Sequence, residues 1–250
     1  MPVRKPLTTP KITDRKIARP RTGGAGKVAR LPRPPKPVDE ATLVEIFRRF
    51  RDASPEPKGE LEHVDPYTLV VAVVLSAQST DAGVNKATRE LFKVADTPQK
   101  MVDLGEERLR DYIRTVNFHP TKARNIIALS RKLLDEHGGV VPPARAVLES
   151  LPGVGRKSAS VVLNNAFGES TIAVDTHVFR VSNRIPLVVT KTADETQLAL
   201  EKIVPDEFKR HAHHWLILHG RYVCKARKPE CYRCLIRDLC RYEPKTPPPA

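Results

Sequence analysis

All four cysteines of this chain, Cys224, Cys231, Cys234 and Cys240, stand in one C-x6-C-x2-C-x5-C window near its end. Thiols gathered this tightly, with none elsewhere, read as the donors of one closed metal site. Thiolates are soft ligands and select zinc or an iron–sulfur cluster. Zinc folds usually pair two short C-x2-C units across a longer gap. Here only Cys231 and Cys234 make such a unit, and the other two stand apart at unequal intervals. That asymmetry favours a 4Fe–4S cluster wrapped by a loop over zinc. Disulfides are the weakest reading, because no secretory signal peptide opens the chain.

A second group of residues lies in Leu151-Pro152-Gly153-Val154-Gly155-Arg156-Lys157. It separates two helical patterns, Ala146, Val147 and Leu151 upstream and Ala159, Val162, Leu163 and Ala166 downstream. A helix, a tight G-x-G turn and a second helix make a helix–hairpin–helix. Glycines let backbone N–H groups come close to a phosphate, and the second helix offers its positive end to the same anion. The bland alternative is a packing turn. Lys157 reads either as one more phosphate-binding lysine or as an amine nucleophile. For the second role the helix end, Arg156 and partial burial would all disfavour its ammonium form. Eighteen residues on, in Val174-Asp175-Thr176-His177, an acid follows an apolar run. Asp175 reads as a helix N-cap, and a cap can also hold a carboxylate at a site.

The elements that must position these residues are helical. Leu43, Ile46, Phe47 and Phe50 recur at helical spacing until Pro55 and Pro57 break the pattern. Leu69 to Leu75 is apolar on every face and is read as a central helix opened by Asp65-Pro66. Ser76 to Asp81 can cap the next helix, with Val84, Ala87, Leu91 and Phe92 on one face. Met101 to Leu104, Leu109 to Ile113, Ala123 to Leu134 and Ala146 to Leu151 read as further short helices. Alternating strand patterns are missing, so the class is mostly α. His211, His213, His214 and His219 surround Trp215 without a carboxylate or cysteine at matching spacing, and read as a helix packed near the cysteine-rich end.

The chain carries a net charge of +14. Residues 1–37 hold +10 of it, eleven basic side chains against the single Asp14, together with eight prolines. Such a segment cannot bury enough apolar surface to offset chain entropy and reads as a disordered basic tail suited to polyanions. The longest apolar run, Thr68 to Ala77, falls short of the roughly 20 residues of a membrane span.

Together these pieces resemble the endonuclease III family of DNA glycosylase/AP lyases, from about Val38 to Cys240. The resemblance is carried by Leu151 to Ala159, Val174-Asp175-Thr176-His177, the cysteine window and Leu75-Ser76-Ala77-Gln78-Ser79-Thr80-Asp81. It implies an all-α, two-lobed helix–hairpin–helix glycosylase fold with an iron–sulfur cluster loop. The implied lobes are residues 59–169, a helical bundle carrying the hairpin, and 38–58 with 170–250, the cluster lobe. It implies a base-excision-repair enzyme that removes oxidised pyrimidines and cuts the strand 3′ to the abasic site by β-elimination. Lys157 matches the family's nucleophile, Asp175 its activating carboxylate and Gln78 the residue filling the gap left by the extruded nucleotide. Gly153, Val154, Gly155 and Arg156 would meet DNA phosphates, as would Lys225, Arg227 and Lys228 of the cluster loop. The four cysteines would hold the 4Fe–4S cluster.

One segment departs from the family. Before Thr121-Lys122-Ala123, relatives carry glycine, an apolar residue and an aromatic, whereas this chain reads Asn117-Phe118-His119-Pro120. Asn117 is expected to take the left-handed backbone, Phe118 to act as an intercalating wedge, and His119-Pro120 to stiffen the loop. The resemblance also admits a same-scaffold glycosylase for another lesion, or a non-catalytic damage-binding homologue. The expected partner is double-stranded DNA with damaged bases or abasic sites, bound by a monomer without membrane association. A bacterial cytoplasm is the default location, with nucleus or mitochondrion left open by the tail.

Overall fold

The computed structural model describes residues 36–249. Apart from Lys36 and Pro37, the basic tail read over residues 1–37 lies outside the described residues. Eleven α-helices and one short 3₁₀ turn, Cys231–Arg233, account for the regular structure, with no strand among the described residues. The helices are α1 Glu40–Ala53, α2 Pro66–Ser76, α3 Asp81–Leu91, α4 Pro98–Leu104, α5 Glu106–Tyr112 and α6 His119–His137. They continue with α7 Arg145–Ser150, α8 Arg156–Phe167, α9 Thr176–Arg184, α10 Ala193–Ile203 and α11 Asp206–Tyr222.

Local chemistry starts most of these helices. Asp39, Thr80, Thr97 and Thr192 each accept a backbone N–H three residues on, a donor that a helix start would otherwise leave unpaired. Asp65 and Thr68 form a reciprocal capping box ahead of Pro66. The body of α2 is apolar on all sides, and Tyr67 to Leu75 are all buried. A helix of that kind can only be central. It packs on α3, α6 and α8, and each buried Leu or Val contributes about 1.5–3 kcal/mol.

The described chain has two apolar cores. The first joins α2 to α8 around Leu69, Leu91, Met101, Ile126, Leu133 and Leu163. The second joins α1 to α9, α10 and α11 around Phe47, Val178, Phe208, Trp215 and Ile236. Within the second core the Trp215 indole N–H donates to Ser54 O at 2.8 Å, tying α11 to the end of α1. Long-range polar contacts tie the two cores together. Arg221 of α11 donates to Glu60 and, at 2.7 Å, to Asp81 at the start of α3.

The 117–120 segment differs from expectation in two ways. The left-handed residue is Phe118, at φ 58°, not Asn117. His119 and Pro120 are not loop residues but open α6. The reason is local: proline lacks an N–H and has φ preset for helix, so it is best tolerated in a first turn. The backbone reversal must then fall on the residue preceding the helix.

Candidate functional site

A cleft of about 750 Å³ opens between the two cores. Lys157, Asp175 and Gln78 all line it, beside His213, Asp81 and Arg221. Two short-range motifs and the α2–α3 connection therefore meet at one place.

The hairpin delivers Lys157. Gly153 sits at φ 84°, where L side chains are strained, and an added Cβ would stand 3.0 Å from Asn125 Nδ2 and 3.3 Å from Val74 Cγ1. Gly155 is different. Its backbone is ordinary and extended, and a Cβ there would meet nothing within 4 Å. It is the N-cap of α8 and supplies no side-chain cap, so first-turn N–H groups face outward for an incoming acceptor. Arg156 and Lys157 follow, both exposed, at the positive end of the helix. Val154 is 5% exposed and packs in the first core, so only its backbone is open to a ligand. Lys157 is exposed where the first turn of α8 borders the cleft, while Ala159 of the same turn packs into the first core.

Asp175 caps α9. Its Oδ1 accepts the N–H groups of His177 and Val178, both at 2.8 Å, while no hydrogen bond within the described residues reaches Oδ2. One carboxylate oxygen is thus anchored and the other is free at the cleft. His213 stands close enough for the charges of both Asp175 and Lys157 to act on its ring. Its Nδ1 donates to Ala173 O at 2.7 Å, and burial pushes its pKa down, so the ring is neutral. Chemically, the cleft offers an amine for attack on an electrophilic carbon and a fixed carboxylate for stabilising positive charge.

Gln78 and Phe118 are exposed neighbours, and both have left-handed backbones, at φ 54° and 58°. Asn117 Nδ2 donates to Gln78 O at 2.6 Å. Phe118 is 62% exposed and lies off the cleft lining, as do Gly153 to Arg156.

The four cysteines line a separate small chamber, walled also by Ile185 and His219. Burial raises the Cys234 thiol to about 11 and shifts Cys240 the same way. No three His, Cys, Asp or Glu side chains among the described residues converge as ligands of a single ion. Arg184 braces the following loop, donating to Lys225 O at 2.7 Å and Ala226 O at 2.9 Å, with Cys224 Sγ 3.6 Å away. Lys225, Arg227 and Lys228 are exposed there, and Lys225 pairs with Glu230 at 2.6 Å.

The histidines near Trp215 diverge. His213 and His214 are buried beside the cleft, His211 packs on Trp215, and His219 packs on Phe50 with Cys234 Sγ 3.7 Å away. The Glu60–Arg221–Asp81 ion pairs were invisible in the sequence, since partners 140 and 161 residues apart leave no local pattern.

Residues 71–206 match the model of the HhH-GPD superfamily base excision DNA repair protein family. The chain is 54% identical over 208 residues to endonuclease III of Haemophilus influenzae, covering 83% of this chain and 99% of that one. Endonuclease III of Escherichia coli K12 is 53% identical over the same extent. Among solved structures, a trapped endonuclease III–DNA covalent intermediate superposes with a TM-score of 0.77 at 42% identity, covering 82% of this chain and 96% of that one. A thermostable thymine-DNA glycosylase, 23% identical, shares the fold with a TM-score of 0.72, covering 81% and 96%. Likeness of this extent shows that the chain belongs to the endonuclease III family of helix–hairpin–helix base-excision DNA repair proteins.

Proposed function

We propose that Lys157 and Asp175 carry the chemistry of this base-excision DNA glycosylase/AP lyase, acting as a monomer on damaged duplex DNA with oxidised pyrimidines as the bases removed. One observation supports the reading above the others: an amine and a free carboxylate oxygen, from motifs eighteen residues apart, open on the cleft that Gln78 borders. The damaged nucleotide leaves the stack and enters the cleft, and Gln78 and Phe118 occupy the duplex at the vacancy. The hairpin backbone from Gly153 to Gly155 and Arg156 hold the phosphates and read no sequence. DNA seated on the cleft supplies the desolvation around Lys157 that the free protein does not.

The Lys157 amine attacks C1′, a C–N bond forms, and the glycosidic bond breaks with its electron pair leaving on the base. Asp175 stabilises the positive charge developing on the sugar. A proton passes from that nitrogen to the ring oxygen, the C1′–O4′ bond breaks, and the opened sugar is left as a protonated Schiff base. That iminium acidifies C2′–H. Removal of this proton expels the 3′ phosphate, and β-elimination is complete; water then releases Lys157.

The four cysteines line one chamber, and their uneven C-x6-C-x2-C-x5-C spacing supports a 4Fe–4S cluster over one zinc ion. Cys224, Cys231, Cys234 and Cys240 would hold the cluster, which would fix the loop presenting Lys225, Arg227 and Lys228 to phosphates.

Borohydride trapping on duplexes carrying an abasic site or thymine glycol tests the reading. A covalent complex is expected on both, and none with Lys157→Gln. Trapping that survives in Lys157→Gln would move the nucleophile elsewhere. Trapping confined to the abasic duplex would move the substrate away from oxidised pyrimidines.

A further inference from the structure

The buried lysine of α6 has no part in the chemistry above. Lys122 is 6% exposed, yet it has no carboxylate partner among the described residues. Its Nζ donates to Leu75 O at 2.7 Å, Ala77 O at 2.6 Å and Ser79 Oγ at 3.1 Å. An ammonium has three donors, and all three are used. Two of the acceptors are carbonyls at the C-terminal end of α2, which have no helical N–H to meet and carry the negative end of the dipole. Burial pushes the Lys122 pKa down, while the helix end and the three acceptors favour the charged form.

Gln78 lies within this ring of acceptors. Its φ of 54° is uncommon for any residue but glycine, and no glycine neighbours it to take up the reversal. The turn is pinned on one side by Lys122, through Ala77 and Ser79. On the other side it is pinned by Asn117, whose amide donates to Gln78 O at 2.6 Å. Asn117 directly precedes Phe118, the second left-handed, exposed residue and the N-cap of α6. The Gln78 turn is therefore clasped between the Lys122 side chain and Asn117, and Asn117 links it to Phe118.

We infer that Lys122, assisted by Asn117, is a positioning residue that sets the Gln78 and Phe118 wedges together, so that it governs excision from duplex DNA rather than the lyase step. The inference rests on the reading that Gln78 and Phe118 enter the duplex. A wedge matters only where there is a stack to hold open, which gives a readout that general loss of structure would not move.

The experiment compares Lys122→Met, Lys122→Arg and Asn117→Ala with the unaltered full chain on a thymine-glycol duplex and on a single strand with one abasic site. Gln78→Ala and Phe118→Ala serve as controls. The expected result is a fall in the duplex-to-single-strand rate ratio of about tenfold or more for Lys122→Met, the equivalent of one charged hydrogen bond. Lys122→Arg should restore part of it, and Asn117→Ala, at an exposed site, should show a smaller fall without loss of folding. 2-Aminopurine opposite the lesion should brighten less in the affected variants. An unchanged ratio in both Lys122→Met and Asn117→Ala, with Gln78→Ala impaired, overturns the clasp. An unchanged ratio in Gln78→Ala and Phe118→Ala overturns the wedge reading beneath it. Equal loss on both substrates for Lys122→Met and Asn117→Ala assigns Lys122 to the fold alone and also overturns the inference.

Discussion

Alanine at Gly153 and alanine at Gly155 are expected to fail in different ways, although the two stand two residues apart. At Gly153 the backbone is at φ 84°, and a left-handed alanine costs about 1–2 kcal/mol. The new methyl group would also stand 3.0 Å from Asn125 Nδ2 and 3.3 Å from Val74 Cγ1, so Val74 of the central helix has to give. Together these set a loss of about 2 kcal/mol or more, which for a fold of this size lowers the melting temperature by about 4–8 °C. At Gly155 the backbone is extended and the space around a Cβ is empty. Alanine is a poorer N-cap than glycine but restricts the unfolded chain, so the two terms nearly cancel, to within about 0.5–1 kcal/mol. The cost there falls on DNA. A methyl group on the open side of the uncapped α8 start keeps a phosphate from its N–H donors. Losing one charged hydrogen bond of about 1.5–3 kcal/mol weakens binding by about tenfold to a hundredfold. Thermal melts of both variants, with fluorescence anisotropy on an abasic duplex, measure the two effects separately. Equal destabilisation by the two alanines, or full DNA affinity in Gly155→Ala, would refute the reasoning.

Three further outcomes are expected. Asp175→Ala should lose about 1 kcal/mol of stability with its cap, whereas Asp175→Asn should keep most of the cap. Both should lose about a hundredfold or more in single-turnover excision, and an active Asp175→Asn would reduce the residue to a cap. Burial lowers His214 to about 3 and His219 to about 4, so between about pH 6.5 and those values the unfolded chain binds protons that the fold refuses. Stability should be complete above about pH 6.5 and fall by about 1.4 kcal/mol per pH unit for each histidine as the solution is acidified. His214→Gln should show the shallower slope in melts across that range, and an identical slope would remove His214 from the account. If the four cysteines hold the proposed 4Fe–4S cluster, the full chain should carry iron and brown absorbance at about 400 nm, both lost in Cys234→Ser, whereas zinc without iron in the full chain would support the other soft-ligand reading.

Much of this protein was written in short stretches of chain. The central helix was legible because seven successive apolar residues, Leu69 to Leu75, cannot be placed anywhere but inside, and Asp65-Pro66 marks the start. The all-α class, the family and the enzyme class followed from motifs whose parts are neighbours in sequence: a hairpin, a capped helix start and one cysteine window. Such motifs survive in sequence because their geometry depends on backbone rules acting over a few residues. Even there, single-residue placement was open. Only the first turn of α6, closed by Pro120, decided that Phe118 and not Asn117 takes the left-handed backbone.

What the sequence by itself determined was therefore the helical class and the family, together with the candidate groups proposed to do chemistry. Only the tertiary structure decided what surrounds them. It put Lys157 exposed at the edge of the cleft, set His213 and His214 along that cleft, and drew Arg221 to Glu60 and Asp81. It also set Lys122 under a turn more than forty residues away. These contacts join residues whose separation carries no periodicity and no motif. They exist because two apolar cores close against each other and leave polar and charged groups at the seam, each of which must find a partner or water there.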